Sequence, residues 1–120
     1  MTTTILIADA DPFNLAQLEE CCSERGHRVL TAGDGEQVLS SVAREPPDVI
    51  LLQAELPALS GLQVLNILRE DPILRGIRVV IITDAANEDS AAQALNLGAD
   101  DVLTHPYAMP EVPLRIEAAL

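Results

Sequence analysis

The sequence predicts an α/β domain, a doubly wound parallel sheet of five strands flanked by five helices. Three observations predict it. Strand-like and helix-like segments alternate five times over 120 residues, the pattern that demands parallel strands with right-handed crossovers. The strand segments are continuous apolar runs, as expected for strands covered on both faces. Apolar residues make up 48% of a chain with the length of one ordinary domain. A chain of this size buries roughly 65–70% of its unfolded surface without any staple.

The elements follow in order. Ile5-Leu6-Ile7-Ala8 is a buried strand closed by Asp9-Ala10-Asp11, and Pro12 opens a helix. Phe13 to Arg25 carries Leu15, Leu18 and Cys21 or Cys22 at helical spacing, and Gly26 ends it. Arg28 to Ala32 is the second strand, followed by turn residues Gly33-Asp34-Gly35. Glu36 to Arg44 is helical with Val38, Leu39, Val42 and Ala43 on one face, and Pro46-Pro47 stops it. Asp48 to Leu52 is the third strand. Leu62, Leu65 and Leu68 mark the next helix, which ends near Asp71-Pro72.

Arg78 to Thr83 is the fourth and most apolar strand. Asn87 to Leu97 is helical, capped by Asn87 or Asp89, with Gly98 as its stop. Asp101 to Thr104 is a short fifth strand and His105-Pro106 a turn. Glu111 to Leu120 is the last helix, with Pro110 or Pro113 in its first turn. No linker or repeat divides residues 1–120, which read as one domain. The last helix runs to the final residue, as in a domain excised from a longer protein or ending at its own helix.

Charge narrows the function. Nineteen acids against seven bases give a net charge of −12, a surface that repels phosphate backbones and anionic membranes. A stand-alone nucleic-acid binder and a membrane binder are therefore excluded. All the bases are arginines: Arg25, Arg28, Arg44, Arg69, Arg75, Arg78 and Arg115. Without lysine, Schiff-base chemistry and a phosphate-loop lysine are excluded as well. Aromatic residues are confined to Phe13 and Tyr107, so the core is built from Leu, Ile, Val and Ala.

Cys21 and Cys22 are adjacent and point about 100° apart on a helix, so they do not bridge readily. One is expected as a small core residue and the other as a surface thiol. The pair gives no disulfide framework, which suits a reducing cytosol. The start of the chain is no signal peptide, and no apolar run approaches the ~20 residues of a membrane span.

In a doubly wound sheet, ligands bind beyond the carboxyl ends of the strands. Those ends carry Asp9 and Asp11, Gln53 and Glu55, Thr83 and Asp84, and His105. Carboxylates around one histidine suit a divalent ion or a pH-responsive site. The competing reading is a set of solvated loop ends.

Seven segments, in order, carry a resemblance. They are Ile5-Leu-Ile-Ala-Asp9 with Asp11-Pro12; Thr31-Ala32 with Asp34-Gly35-Glu36; Pro47-Asp48-Val-Ile-Leu-Leu52; Leu56-Pro57 with Gly61-Leu62; Val79-Val-Ile-Ile-Thr83; Gly98-Ala99-Asp100-Asp101; and Pro106-Tyr107. Over essentially all of its length the chain resembles the receiver domain of two-component response regulators. The resemblance implies a flavodoxin-like sheet of strand order 2-1-3-4-5, a bacterial or archaeal cytoplasm, and signalling by aspartyl phosphorylation.

The family's phosphotransfer positions are largely changed here. Asp9 matches the first of two metal-holding acids, but Ala10 stands at the second. Asp11 matches a third position, often acidic, that does not usually hold the metal. The phosphoacceptor aspartate falls on Gln53, whose amide has no carboxylate oxygen to attack phosphorus. The lysine that pairs with the phosphoryl group falls on His105. Thr83 keeps the switch hydroxyl, Asp84 replaces the small residue after it, and Val102 replaces the aromatic switch residue.

The expected function is therefore a non-phosphorylatable receiver-like module, a pseudo-receiver. It would act through protein–protein contacts, without enzymatic activity or cofactor, and with Asp9 and Asp11 as weak metal candidates only. The resemblance implies a docking or dimer face over residues 87–120, or an attached output domain. Its acids, Glu88, Asp89, Asp100, Asp101, Glu111 and Glu117, would favour a basic partner. Leu95, Val112 and Ile116 could serve as core or as contact.

His105 among Asp9, Asp84 and Glu55 would favour its protonated form, which would stand in for the missing lysine. His27 is expected to be exposed and without function. Two other classes compete. Asp9-x-Asp11 after a strand also resembles the opening motif of haloacid-dehalogenase-type phosphohydrolases, an enzyme reading that uses Mg²⁺. A flavin-mononucleotide site would need a hydroxyl-rich phosphate loop, where Asp9-Ala-Asp11 is anionic.

Overall fold

The computed structural model describes residues 2–120. Five parallel strands lie in the order β2-β1-β3-β4-β5. They are β1 (Thr4–Ala8), β2 (Arg28–Ala32), β3 (Val49–Gln53), β4 (Arg78–Asp84) and β5 (Asp101–His105). The helices are α1 (Pro12–Glu24), α2 (Gly35–Arg44), α3 (Gly61–Glu70), α4 (Glu88–Asn96) and α5 (Glu111–Ala119). Every expected element is present, with ends shifted by one or two residues.

Side-chain alternation along the strands divides the core into two layers. Leu6, Ile50, Leu52, Val79 and Ile81 face α2, α3 and α4, where they meet Val38, Val42, Val64, Leu65, Leu68 and Ala94. Ile5, Ile7, Val49, Leu51, Val80, Ile82 and Leu103 face α1 and α5, where they meet Leu18, Cys22, Val112 and Ile116. Val112 and Ile116 are thus core, whereas Leu95 is exposed.

Local chemistry fixes the helix ends. Asp11, Asp34, Ser60 and Asn87 each accept a backbone N–H as N-cap, and Ser60 with Gln63 forms a capping box. Asn87, rather than Asp89, caps α4. The chain leaves α4 through Gly98 at φ +100°, a conformation that costs a side-chain-bearing residue. Gly61 is required for another reason, since a Cβ there would stand 2.0 Å from the Gln53 carbonyl oxygen.

Two expectations fail. Ala43 is exposed and Ser41 takes its place on the buried face of α2. Residue 41 lies three after Val38, so helical phase favours it over residue 43 despite its hydroxyl. His27 is not free on the surface. Its side chain is 12% exposed, and Nε2 lies 3.0 Å from Glu117 Oε2 of α5.

Candidate functional site

Strand parity builds the site. Asp9, Gln53 and His105 continue the alternation of Ile7, Leu51 and Leu103, so they emerge on the side of α1 and α5. Thr83 and Val102 continue the opposite set. Thr83 is buried at the end of β4, and Val102 packs against the layer of α2, α3 and α4. Neither side chain hydrogen-bonds to the Asp9 group.

Asp9 is the centre and is only 6% exposed. Its Oδ1 accepts the Asp11 backbone N–H at 2.9 Å. Its Oδ2 accepts Gln53 Nε2 at 3.1 Å and also Asn14 Nδ2. Hydrogen bonds to a charged acceptor are stronger than neutral ones, so these contacts hold the carboxylate firmly.

A carboxylate only accepts, so both amides must turn their NH₂ groups toward Asp9. Gln53 Oε1 then faces outward, 3.5 Å from His105 Nε2, which places a proton on that nitrogen. The Tyr107 hydroxyl lies 3.4 Å from Asn14 Oδ1 and 3.3 Å from Asn14 Nδ2, within reach of both the acceptor and the donor of that amide. The His105 and Tyr107 rings sit with centroids 4.9 Å apart and close the circuit. Burial raises the Tyr107 phenol above its usual range; the Asn14 hydrogen bond opposes that rise and the Asp9 charge adds to it.

The remaining expected site residues are turned elsewhere. Asp11 Oδ1 caps α1 by accepting Phe13 N–H at 3.0 Å. Asp84 Oδ1 accepts Ala86 N–H at 2.9 Å, folding back on its own loop. Ala10 and Glu55 are exposed. Among the described residues His105 has no carboxylate partner, so the expected cluster with Asp84 and Glu55 does not form. Asp84 ends β4 as the register partner of His105 but its carboxylate is taken by Ala86 N–H, and Glu55 lies exposed beyond β3.

Asn14 and Tyr107 were not anticipated as site residues. Asn14 had a legible signal, because it lies four residues before the buried Leu18 and eight before the buried Cys22. It is the polar head of the apolar stripe of α1.

The surface around this site has two charge regimes. Four of the six acids expected to attract a basic partner are already paired. Asp100 binds Arg69 and Arg78, Asp101 and Glu111 bind Arg115, and Glu117 binds Arg25 and His27. Only Glu88 and Asp89, in the first turn of α4, lack an ion pair among the described residues.

Beside the site, α1 and α5 enclose a groove of about 620 Å³. Cys21, Met109, Pro113 and Leu114 supply apolar lining, and Glu20 and Glu24 line it as acids. Burial and the neighbouring Glu24 raise the Cys21 thiol, which keeps it unreactive. Cys22, in the core, is pushed up to about 12 by burial.

Comparisons with known proteins agree with this fold. The family model for the response regulator receiver domain matches residues 5–117. The chain is 35% identical over 118 residues to the probable transcriptional regulatory protein TcrX of Mycobacterium tuberculosis, covering 98% of this chain and 49% of that protein. It is 33% identical to the alkaline phosphatase synthesis transcriptional regulatory protein PhoP of Bacillus subtilis, covering 100% of this chain and 49% of that one. The chain thus spans about half the length of these curated relatives.

Among solved structures, a putative response regulator from Chloroflexus aurantiacus superposes with a TM-score of 0.94 at 24% identity, covering 99% of this chain and 98% of that one. The receiver domain of the Francisella response regulator 1452 superposes at 0.90 with 26% identity, covering 98% and 96%. With matched family residues running through all five strands and helices, the chain belongs to the response regulator receiver domain family.

Proposed function

We propose that this domain is a receiver that takes no phosphoryl group and signals through protein contacts alone, without catalytic activity, in the cytoplasm. The side chain at position 53 carries the reading. Gln53 offers an amide where an acyl phosphate would need a carboxylate, and that amide is committed to Asp9 at 3.1 Å.

A divalent cation does not fit the residues present. Hard cations need several oxygen ligands, commonly more than one of them anionic. Ala10 offers no side-chain oxygen, Asp11 is turned to the α1 backbone, and the Asp9 oxygens already accept three donors. Among the described residues no group of three or more His, Cys, Asp and Glu side chains is placed to hold a metal ion. The phosphohydrolase reading needs Asp9 and Asp11 on one cation, and the N-cap role of Asp11 opposes it.

The surface supports a protein partner or an attached output domain. Five of the seven arginines are held in internal ion pairs, so little positive charge faces outward. The α1–α5 groove combines apolar lining with two acids, Glu20 and Glu24, that have no ion pair among the described residues. The Met109–Leu114 side of that groove falls within the expected docking region of residues 87–120. Such a groove suits a segment with apolar and basic residues.

The test is incubation with Mg²⁺ and acetyl phosphate, read by intact mass under mild conditions. The unmodified mass is expected throughout. A phosphoryl adduct that disappears on hydroxylamine treatment would overturn the reading.

A further inference from the structure

Removing a cation from a site built around a buried carboxylate creates a difficulty. An uncompensated buried charge is costly, and the group must find other partners or become neutral. Asp9 finds partners in two amides from separate elements. Asn14 comes from α1 and Gln53 from the end of β3.

Each amide is itself held from behind by a ring at or just beyond the end of β5. His105 backs Gln53 and Tyr107 backs Asn14. The outer contacts, at 3.4 and 3.5 Å, are weak hydrogen bonds, and ring contact between His105 and Tyr107 joins them. Both amide NH₂ groups point to the one carboxylate, and the Tyr107 hydroxyl lies within reach of both Asn14 Oδ1 and Asn14 Nδ2. Reversing either amide would place its oxygen against an Asp9 oxygen, so both NH₂ groups stay turned to the carboxylate.

We propose that Asn14, Gln53, His105 and Tyr107 form a metal-independent latch on Asp9. It locks the β1–α1, β3–α3 and β5–α5 loops into a single conformation. The inference rests on the reading that Gln53 has replaced a phosphoacceptor, and it specifies the regulation that results. The domain is held in one signalling state, and partners bind a surface that is always presented. Asn14 and Tyr107 are positioning residues, acting through the amides and not on any ligand.

Native-state amide hydrogen exchange on the whole chain tests this, with Asn14→Asp and Gln53→Ala. Asn14→Asp keeps the shape and sets a second carboxylate against Asp9, so it reads the network and not packing. In both variants the amides of residues 10, 11, 13, 105 and 107–109 are expected to exchange about tenfold faster or more, through easier local opening. Amides of β2 and α2 serve as the reference for an intact fold and are expected to be unchanged. MgCl₂ is expected to leave loop exchange in the parent chain unchanged, because the Asp9 oxygens are occupied.

Unchanged loop exchange in both variants would overturn the latch, as would protection of the parent loops by MgCl₂. The same samples, treated with acetyl phosphate, separate the two readings. A phosphoryl adduct with variant-sensitive loops would sink the phosphate-independent function and keep the latch. No adduct with insensitive loops would do the reverse.

Discussion

At the amino end of α1 the Asp9 carboxylate is held by two neutral amides and a backbone N–H. At the carboxyl end of the same helix the Glu117 carboxylate of α5 is held by Arg25 and His27. The first group is almost fully buried and is held by uncharged donors alone. The second is partly solvated and is offset by cations, which hold its carboxyl down to about 2 through hydrogen bonds from Arg25 and then His27. The difference teaches that satisfying a carboxylate and neutralising it are separate acts. The amide end gains no cation beside Asp11, Glu55 and Asp84, an acidic setting that disfavours anionic phosphoryl donors. The ionic end fastens α1 to α5 and leaves little net charge.

Leu18 lies between the two ends and is fully buried. Leu18→Ala should have the largest effect, costing about 3 kcal/mol in denaturant melts and loosening both ends together. If only one end loosened, the two would be independent units rather than ends of one rigid helix. Gly61→Ala attacks the amide end from outside, by driving a Cβ into the Gln53 carbonyl. It should cost about 2 kcal/mol and disturb Gln53 before Glu117 in an NMR shift map.

Ala58 adopts φ +68° in the β3–α3 loop, a left-handed conformation that strains a non-glycine residue. Ala58→Gly should stabilise the domain by about 0.5–1 kcal/mol while leaving the Asp9 contacts as they are. A thermal melt with an unchanged Asn14 side-chain resonance would show both.

The ionic end is sharpened by acid. A carboxyl lowered from 4.5 to about 2 on folding contributes stability that is fully present above the higher value. That contribution is lost as pH falls toward about 2. Glu117→Gln should therefore flatten the acid limb of the stability profile and merge with the parent near pH 2. The surface position keeps the effect modest.

The smallest effect is a spectroscopic one. Tyr107 is the sole tyrosine, so phenolate absorbance reads it alone. It should ionise above its usual range, and Asp9→Asn should bring it down by removing the nearby charge.

The sheet and its helices were legible because their signals are local. Continuous apolar runs such as Val79 to Ile82, the cap Asn87 and the stop Gly98 need no knowledge of distant residues. Asp9, Gln53 and His105 were also placed together, since strand ends converge in this architecture. What could not be read was pairing. Asp84 and Gln53 both share the parity of His105, so which one it meets depends on the local turn that draws the Asp84 carboxylate to Ala86 N–H. Glu117 finds His27 across ninety positions of chain, through the seam of two helices. Asp11 looked like a ligand because its role as an N-cap uses the same oxygen. The acids of residues 87–120 looked available to a partner because their arginines lie in other elements.

Gly61 leaves a longer-term consequence. Because its missing side chain lets α3 press against the Gln53 carbonyl, the backbone at position 53 is set from behind. The side chain there can then be exchanged without redrawing the sheet. Chemically, position 53 is a socket. Glutamate, cysteine or an installed unnatural residue would project from the same point toward Asp9. A domain with glutamine at this position keeps the framework to be given another chemistry there.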